Sequence, residues 1–214
     1  MIYEEYEVNT MKVLSMQVAP LGTNCYILCD EEAKCCAVVD PGGDANRIAA
    51  AIDGREYALT AILLTHAHYD HTGAVAELAE KWPDVPVYLN HRDQCGDDAY
   101  LRQLFPPVPC AKDYGEGDTI QVGGLTLKVL ATPGHSEGSV TLRCGDVLFC
   151  GDTLFAGSCG RTDFPGGSVK KMMESLKRLG GLEGDLVVCP GHMEDSTLDR
   201  ERSWNPYLRQ AMNG

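Results

Sequence analysis

The apolar run Ala61-Ile62-Leu63-Leu64 ends in Thr65-His66-Ala67-His68-Tyr69-Asp70-His71, which gathers three of the chain's six histidines and a carboxylate into six residues. A chain that leaves a strand in extended form points side chains two apart to the same side, so His66 and His68 can converge on one ion. Asp70 continues that period and brings an oxygen ligand beside the two imidazoles. From Gly73 the spacing of Ala74-Val75-Ala76-Glu77-Leu78-Ala79-Glu80-Lys81-Trp82 is helical, so His71 stands at the bend between strand and helix, placed to swing toward a second ion. Imidazole ligands suit zinc, iron, manganese or nickel, whereas an oxygen-only cluster suits calcium or magnesium. The pattern therefore demands a fold that carries further ligands to the end of this strand.

Three more polar residues stand in matching places. His135 follows Leu125-Thr126-Leu127-Lys128-Val129-Leu130 and the turn Thr132-Pro133-Gly134. Asp152 follows Val147-Leu148-Phe149-Cys150-Gly151, and His192 follows Leu186-Val187-Val188-Cys189-Pro190-Gly191. Each lies just past an apolar strand with Gly or Pro at the turn, an arrangement that brings ligands distant in sequence to one sheet edge. Taken singly, each also reads as an ordinary turn residue; together with the first cluster they read as ligands. His91 opens a charged stretch with no second ligand nearby and reads as a surface or cap residue outside the site.

Strands are expected over 12–18, 25–29, 36–39, 61–64, 85–89, 125–130, 139–143, 147–150 and 186–189. Helices are expected over 44–52, after Gly73, around 97–105, over 169–179 and over 205–212. The stretch Phe105-Pro106-Pro107-Val108-Pro109 interrupts regular structure, but ligands lie on both sides of it, so it reads as a connection between two halves of one domain spanning 1–214. Periodicity alone says only that helix and strand are mixed.

A net charge of -13 argues against nucleic acid or an anionic membrane as partner. No apolar run approaches the roughly 20 residues of a membrane span. Met1-Ile2-Tyr3-Glu4-Glu5-Tyr6-Glu7 is acidic and lacks the basic region of a secretory signal, so a cytoplasmic location is expected. The chain has 10 cysteines but no CxxC pair, and Cys29, Cys36, Cys144, Cys150 and Cys189 fall in or beside apolar strands. They read as reduced core thiols; Cys159, in a glycine-flanked loop after Asp152, is the one that could line the site.

His66-Ala67-His68-Tyr69-Asp70-His71, then Gly134-His135, Gly151-Asp152 and Gly191-His192, in this order, resemble the motif signature of the metallo-β-lactamase superfamily, and Val39-Asp40-Pro41-Gly42 fits a fifth motif. The match spans Leu14 to His192. Gly151-Asp152-Thr153-Leu154-Phe155, followed by Gly160-Arg161-Thr162-Asp163-Phe164-Pro165-Gly166-Gly167, resembles the short bacterial glyoxalase II-like hydrolases. The resemblance implies an α/β fold, an αββα sandwich of two mixed sheets face to face with helices outside. It implies that His66, His68 and His135 hold one metal, that Asp70, His71 and His192 hold the other, and that Asp152 bridges two divalent ions, zinc first, with iron or manganese as alternatives.

Two such cations share a water and lower its pKa toward 7, which supplies hydroxide to attack a carbonyl. By the same resemblance, Asp70 also orients and shuttles the proton, Asp40 fixes a ligand imidazole or else caps its own turn, and Arg161 clamps a substrate carboxylate or pairs with Asp163. A thiolate leaving group, with a pKa near 8.5, needs little acid assistance, so an acyl-thiol such as S-lactoylglutathione suits the site. The chain departs from full-length glyoxalase II in that only residues 193–214 follow His192, so no C-terminal helical glutathione-binding domain is expected and the thiol carrier is open. A mononuclear-iron persulfide dioxygenase, whose resemblance runs through the same Gly160 to Phe164 loop, is the alternative reading, with a non-catalytic metal-binding role a third. Lactam, lactone or RNA cleavage stays open on the same scaffold.

Overall fold

The computed structural model describes residues 4–8, 11–93, 99–108 and 110–214. The first sheet runs in spatial order through β1 (Glu4–Val8), β2 (Met11–Val18), β3 (Thr23–Asp30), β4 (Cys35–Val39), β5 (Ala58–Leu63) and β6 (Val87–Tyr88). Its first four strands pair antiparallel, while β4, β5 and β6 are parallel. The second sheet contains β7 (Thr119–Val122), β8 (Leu125–Ala131), β9 (Val140–Cys144) and β10 (Val147–Gly151). A small hairpin of β11 (Leu154–Phe155) and β12 (Ser158–Cys159) follows, and the sheet is completed by β13 (Val187–Pro190) and β14 (Ser196–Thr197), in the order β14-β13-β10-β9-β8-β7. Only β10 and β13 pair parallel there. Both sheets are mixed.

The burial patterns explain the layering. β3 and β10 are buried at every position, as strands covered on both faces must be, whereas β7 alternates exposed and buried at the sheet margin. Side chains of alternate register from the two sheets meet in one core, Val13, Leu28, Val39 and Leu63 from the first against Val129, Leu142 and Phe149 from the second. Tyr26 and Phe149 bridge the sheets with ring centroids 5.4 Å apart. On the far side of the first sheet, Ile27, Val38 and Ile62 pack on α1 (Ala45–Asp53) and, beyond the single turn α2 (Tyr69–Thr72), on α3 (Val75–Lys81). After the short α4 (Leu101–Leu104), the far side of the second sheet receives α5 (Val169–Gly180), α6 (Leu198–Trp204) and α7 (Pro206–Asn213) on Leu148, Cys150 and Val188. The layers are α, β, β, α, as the resemblance implied.

Some elements differ from the sequence reading. The strand expected over 85–89 pairs only at Val87–Tyr88, because Pro86 has no N–H for the ladder. Of the helix expected over 97–105 the structure shows Leu101–Leu104, and Asp97 and Asp98 lie outside the described residues. Phe105 and Val108 of the proline-rich stretch are buried in the first core. β1, β7, the β11–β12 hairpin, β14 and α6 were not expected, being short or of mixed polarity. Among the described residues no helix is long and apolar enough to cross a membrane.

Strand direction sets where the ligands go. β8, β10 and β13 run the same way, since β9 is antiparallel to β8 and to β10 while β13 is parallel to β10. His135, Asp152 and His192 therefore leave the second sheet at one end. The loops after β4 and β5 leave the first sheet at one end too, and backbone bonds from Val140 N to the Thr65 carbonyl (2.9 Å) and from Asn24 N to the Gly191 carbonyl (2.8 Å) join the sheets there.

Candidate metal centre

Beyond β5 the chain bends at Thr65 and His66, is extended at His68 and then enters the helical turn α2. His66 and His68 do turn ligand atoms to one point, though through a bend and not the extended run that the spacing suggested. Asp70 does not continue that period: the turn rotates it away from His66 and His68 and places it, with His71, beside His192. Ligand atoms of His66, His68 and His135 lie within 4.8 Å of one another, as do those of Asp70, His71 and His192. Asp152 stands between the two sets. Its Oδ2 is 3.4 Å from His135 Nε2 and 3.7 Å from His192 Nε2, and its Oδ1 is 3.4 Å from His71 Nε2. Donors bound at about 2.0–2.2 Å to one cation stand roughly 3–3.5 Å apart, so this spacing suits a carboxylate shared by two ions.

The nitrogen that each imidazole offers is decided by what holds the other one. Asp40, in the left-handed region at φ 51, is buried at the end of β4. Its Oδ1 accepts the Thr65 N–H (2.7 Å), and its Oδ2 accepts the Thr65 hydroxyl (2.6 Å) and faces His71 Nδ1 at 3.0 Å. The Thr65 hydroxyl has thereby given up its one proton, so toward His66 Nδ1, 3.1 Å away, it acts as acceptor. His135 Nδ1 donates to the Arg161 carbonyl at 2.8 Å. His66, His71 and His135 thus all turn Nε2 inward, the nitrogen that a metal would take. His68 instead faces His135 Nε2 with its Nδ1, 2.8 Å away, its ring packed on Phe105. Asp40 also lies within ligand distance of His66 and His71, but its oxygens are taken up by these hydrogen bonds and it supports the site from outside.

His66 Nε2, His68 Nε2, His71 Nε2 and Asp152 Oδ1 are buried without a hydrogen-bond partner. A buried polar atom left unmatched costs about 1–3 kcal/mol, and four in one cluster of nitrogen and carboxylate donors fit a pair of borderline divalent cations. Charge agrees. Burial, then the facing imidazoles, holds His66 well below the usual histidine range, and burial with His135 beside it lowers His68 to about 3, so both are neutral ligands. Burial would raise Asp70 and Asp152, but the histidines around them win and keep both carboxyls below the ordinary value. His71 and His192 differ: burial alone would push them down, but Asp152 and Asp40 hold His71 up and Asp70 holds His192 up, so each favours a proton that a bound cation would displace.

Several supports were not legible in the sequence. The Thr23 hydroxyl, at the start of β3, donates to Asp70 Oδ2 at 3.0 Å. Asn24 Nδ2 donates to the Pro190 and Met193 carbonyls, and the Tyr26 hydroxyl to Pro190, which holds the His192 loop. Gly191 is required by space, because a Cβ there would lie 2.2 Å from Asp152 Oδ1. Arg161 lies on the cleft wall with its guanidinium bonded twice to Asp163 (2.7 Å each) and stacked 3.7 Å over the Phe164 ring. Cys159 is half-buried against the core under α5, and burial pushes its thiol up. His91 is exposed and paired with Asp113 at 2.8 Å, outside the site. A cleft of about 400 Å³ opens over His68, Asp70, His135, Asp152 and His192, rimmed by Leu21, Tyr69, Leu104, Phe155, Arg161 and Phe164.

The family model of the metallo-beta-lactamase superfamily matches residues 18–192. The chain belongs to that superfamily. Among its relatives is the probable metallo-hydrolase YqgX of Bacillus subtilis, 36% identical over 92% of this chain and 98% of that protein. Another is hydroxyacylglutathione hydrolase GloC of Haemophilus influenzae, 30% identical over 92% and 98%. Among solved structures, BLEG-1 B3 metallo-beta-lactamase superposes with TM-score 0.82 at 32% identity, covering 92% of this chain and 99% of that one. TTHA1623 in a di-iron-bound form gives 0.76 at 37%, covering 90% and 98%. ETHE1 from Myxococcus xanthus gives 0.76 at 27%, covering 99% and 88%. The superfamily's metallo-hydrolase architecture and the residues of a dinuclear site are thus both present.

Proposed function

We propose that the protein is a binuclear metal-dependent hydrolase of acyl-thioesters, S-lactoylglutathione or a related acyl-thiol. The observation that carries this reading is the complete second ligand set: Asp70, His71 and His192 stand together, with the Asp152 carboxylate between them and His135 of the first set. Two divalent cations bound there supply an acidified water and a Lewis acid for the carbonyl. Asp70, fixed by the Thr23 hydroxyl and 3.1 Å from His192 Nε2, is the carboxylate placed to orient that water and take its proton at Oδ. The apolar rim from Leu21, Leu104, Phe155 and Phe164 shelters the acyl group and limits bulk water. A thiolate leaves with little help from an acid, which suits a cleft where the Arg161 guanidinium is already bonded to Asp163. The name of the relative GloC supports the thioester class. Zinc is the first choice of metal, with iron supported by the di-iron form of TTHA1623. The nine described cysteines are all free, which supports a reducing compartment such as the cytoplasm.

A second reading, mononuclear-iron persulfide dioxygenase, is favoured by Asp152 standing 3.4 Å from His135, since histidines of the first group with this carboxylate make up the two-histidine, one-carboxylate set that such iron sites use. Metal content with paired assays separates the two. Two equivalents of metal with turnover of S-lactoylglutathione are expected; one iron with oxygen uptake on glutathione persulfide would overturn the hydrolase.

A further inference from the structure

Asp93 ends the turn after β6, far in sequence from every ligand, yet it is 4% exposed. Its Oδ2 accepts the Ala67 N–H at 3.1 Å and the Ser136 hydroxyl at 2.7 Å, and its Oδ1 accepts the Gly138 N–H at 2.5 Å. Ala67 is the residue between His66 and His68, and Ser136 follows His135. One carboxylate therefore clamps together the two loops that supply the three imidazoles of the first set. Gly138 is shaped for this approach, since a Cβ there would lie 2.7 Å from Asp93 Oδ1. Among the described residues no lysine or arginine pairs with Asp93; N–H and O–H donors alone face it. A buried carboxylate without a cation is costly, and burial does push its carboxyl up. An uncharged amide at this place has one acceptor oxygen and would turn its NH₂ toward a donor.

Asp40 is the counterpart on the other side, bonded to Thr65 and His71. Asp40 reaches His71 directly and His66 only through the Thr65 hydroxyl, whereas Asp93 ties the His66-Ala67-His68 loop to the His135 loop. We propose that Asp93 is a positioning residue for the first metal ion: it holds the His66-Ala67-His68 and His135 loops at one separation, so that its loss weakens the ion held by His66, His68 and His135 and leaves the ion held by Asp70, His71 and His192. This rests on the binuclear reading of the site and not on the identity of the substrate.

The test titrates chelator-stripped protein with zinc alone, in competition with a chromophoric chelator. Wild-type chain should bind two equivalents. Asp93→Asn should keep one at wild-type affinity and weaken the other on the order of 10- to 100-fold, the effect typical of lost outer support. His68→Ala marks which equivalent belongs to the first set, and adding Asp93→Asn to His68→Ala should leave the remaining equivalent unmoved. Melting of the metal-free proteins separates a site effect from a folding one. If Asp93→Asn fails to fold, Ser136→Ala, which removes one of the three donors, must weaken the same equivalent by a smaller factor. Unchanged affinity at both equivalents, or equal loss at both, overturns the proposal. A wild-type chain that binds zinc but turns over no thioester overturns the thioester reading and leaves this result standing, because the readout is zinc affinity.

Discussion

Thr65 shows how a site can depend on a residue that never meets the metal. Its hydroxyl proton goes to Asp40 and its lone pair to His66, so a single oxygen sets the tautomer of one ligand while sharing an acceptor with another. At the ligands themselves the expectation is direct. His68→Ala and Asp152→Ala should abolish turnover with the circular dichroism spectrum unchanged, and wild-type rates from either purified variant would remove them from the centre. The thiols behave differently. Burial pushes Cys29 up to about 12 and Cys144 to about 11, whereas Cys110 is exposed. Thiolate is the reactive form, so mass-spectrometric mapping of iodoacetamide labelling at pH 8 should find Cys110 modified long before Cys29 or Cys144. Rapid labelling of Cys29 in folded protein would contradict its place in the core. The histidines were legible as ligands because few other roles suit such spacing; Thr23 and Thr65 were not, since a threonine at a strand end has many.

Elements position the site through their ends. Gly134, at φ 143, lets the His135 loop lie against α5, where a Cβ would come within 2.4 Å of Met172 N. Ser168 caps that helix, its side chain accepting from Lys171 N and its N–H bonded to the Gly134 carbonyl at 2.8 Å. Gly134→Ala therefore strains backbone and packing together and should lower both zinc affinity and the urea midpoint; an unchanged midpoint would show that the contact yields freely. A second link runs from α6. Glu201, 1% exposed, accepts from Gly157 N (2.7 Å), Ser196 Oγ (2.5 Å) and Asn205 Nδ2 (2.9 Å), and so fastens the β11–β12 hairpin that carries Phe155 to the cleft. Removing that acceptor strands buried donors at about 1–3 kcal/mol each. Glu201→Ala should lower the unfolding free energy from urea titration by several kcal/mol, and a loss under about 1 kcal/mol would mean that water replaces the carboxylate.

For the whole molecule, the centre is also a fastening between the two sheets, because ligands from both meet on it. Anything bound to the folded state alone stabilises it, by about 2.7 kcal/mol at a hundredfold excess over Kd. Chelation should lower the melting temperature as well as stop turnover, and restored zinc should return both; identical melting curves with and without metal would detach the site from stability. The sequence by itself singled out a metal-binding pattern and the seven side chains that the fold gathers, His66, His68, Asp70, His71, His135, Asp152 and His192, because residue types, apolar runs and turn residues are local properties. It did so for the strands whose apolar runs are long, and not for the short or half-polar elements β1, β7 and β14. Only the tertiary structure decided that Asp70 joins His192, that Asp40 supports His71 and, through Thr65, His66 while Asp93 ties the His66-Ala67-His68 loop to the His135 loop, and that the Arg161 guanidinium rests on Asp163. Those outcomes depend on distances between residues remote along the chain, and these are set by strand direction and sheet packing.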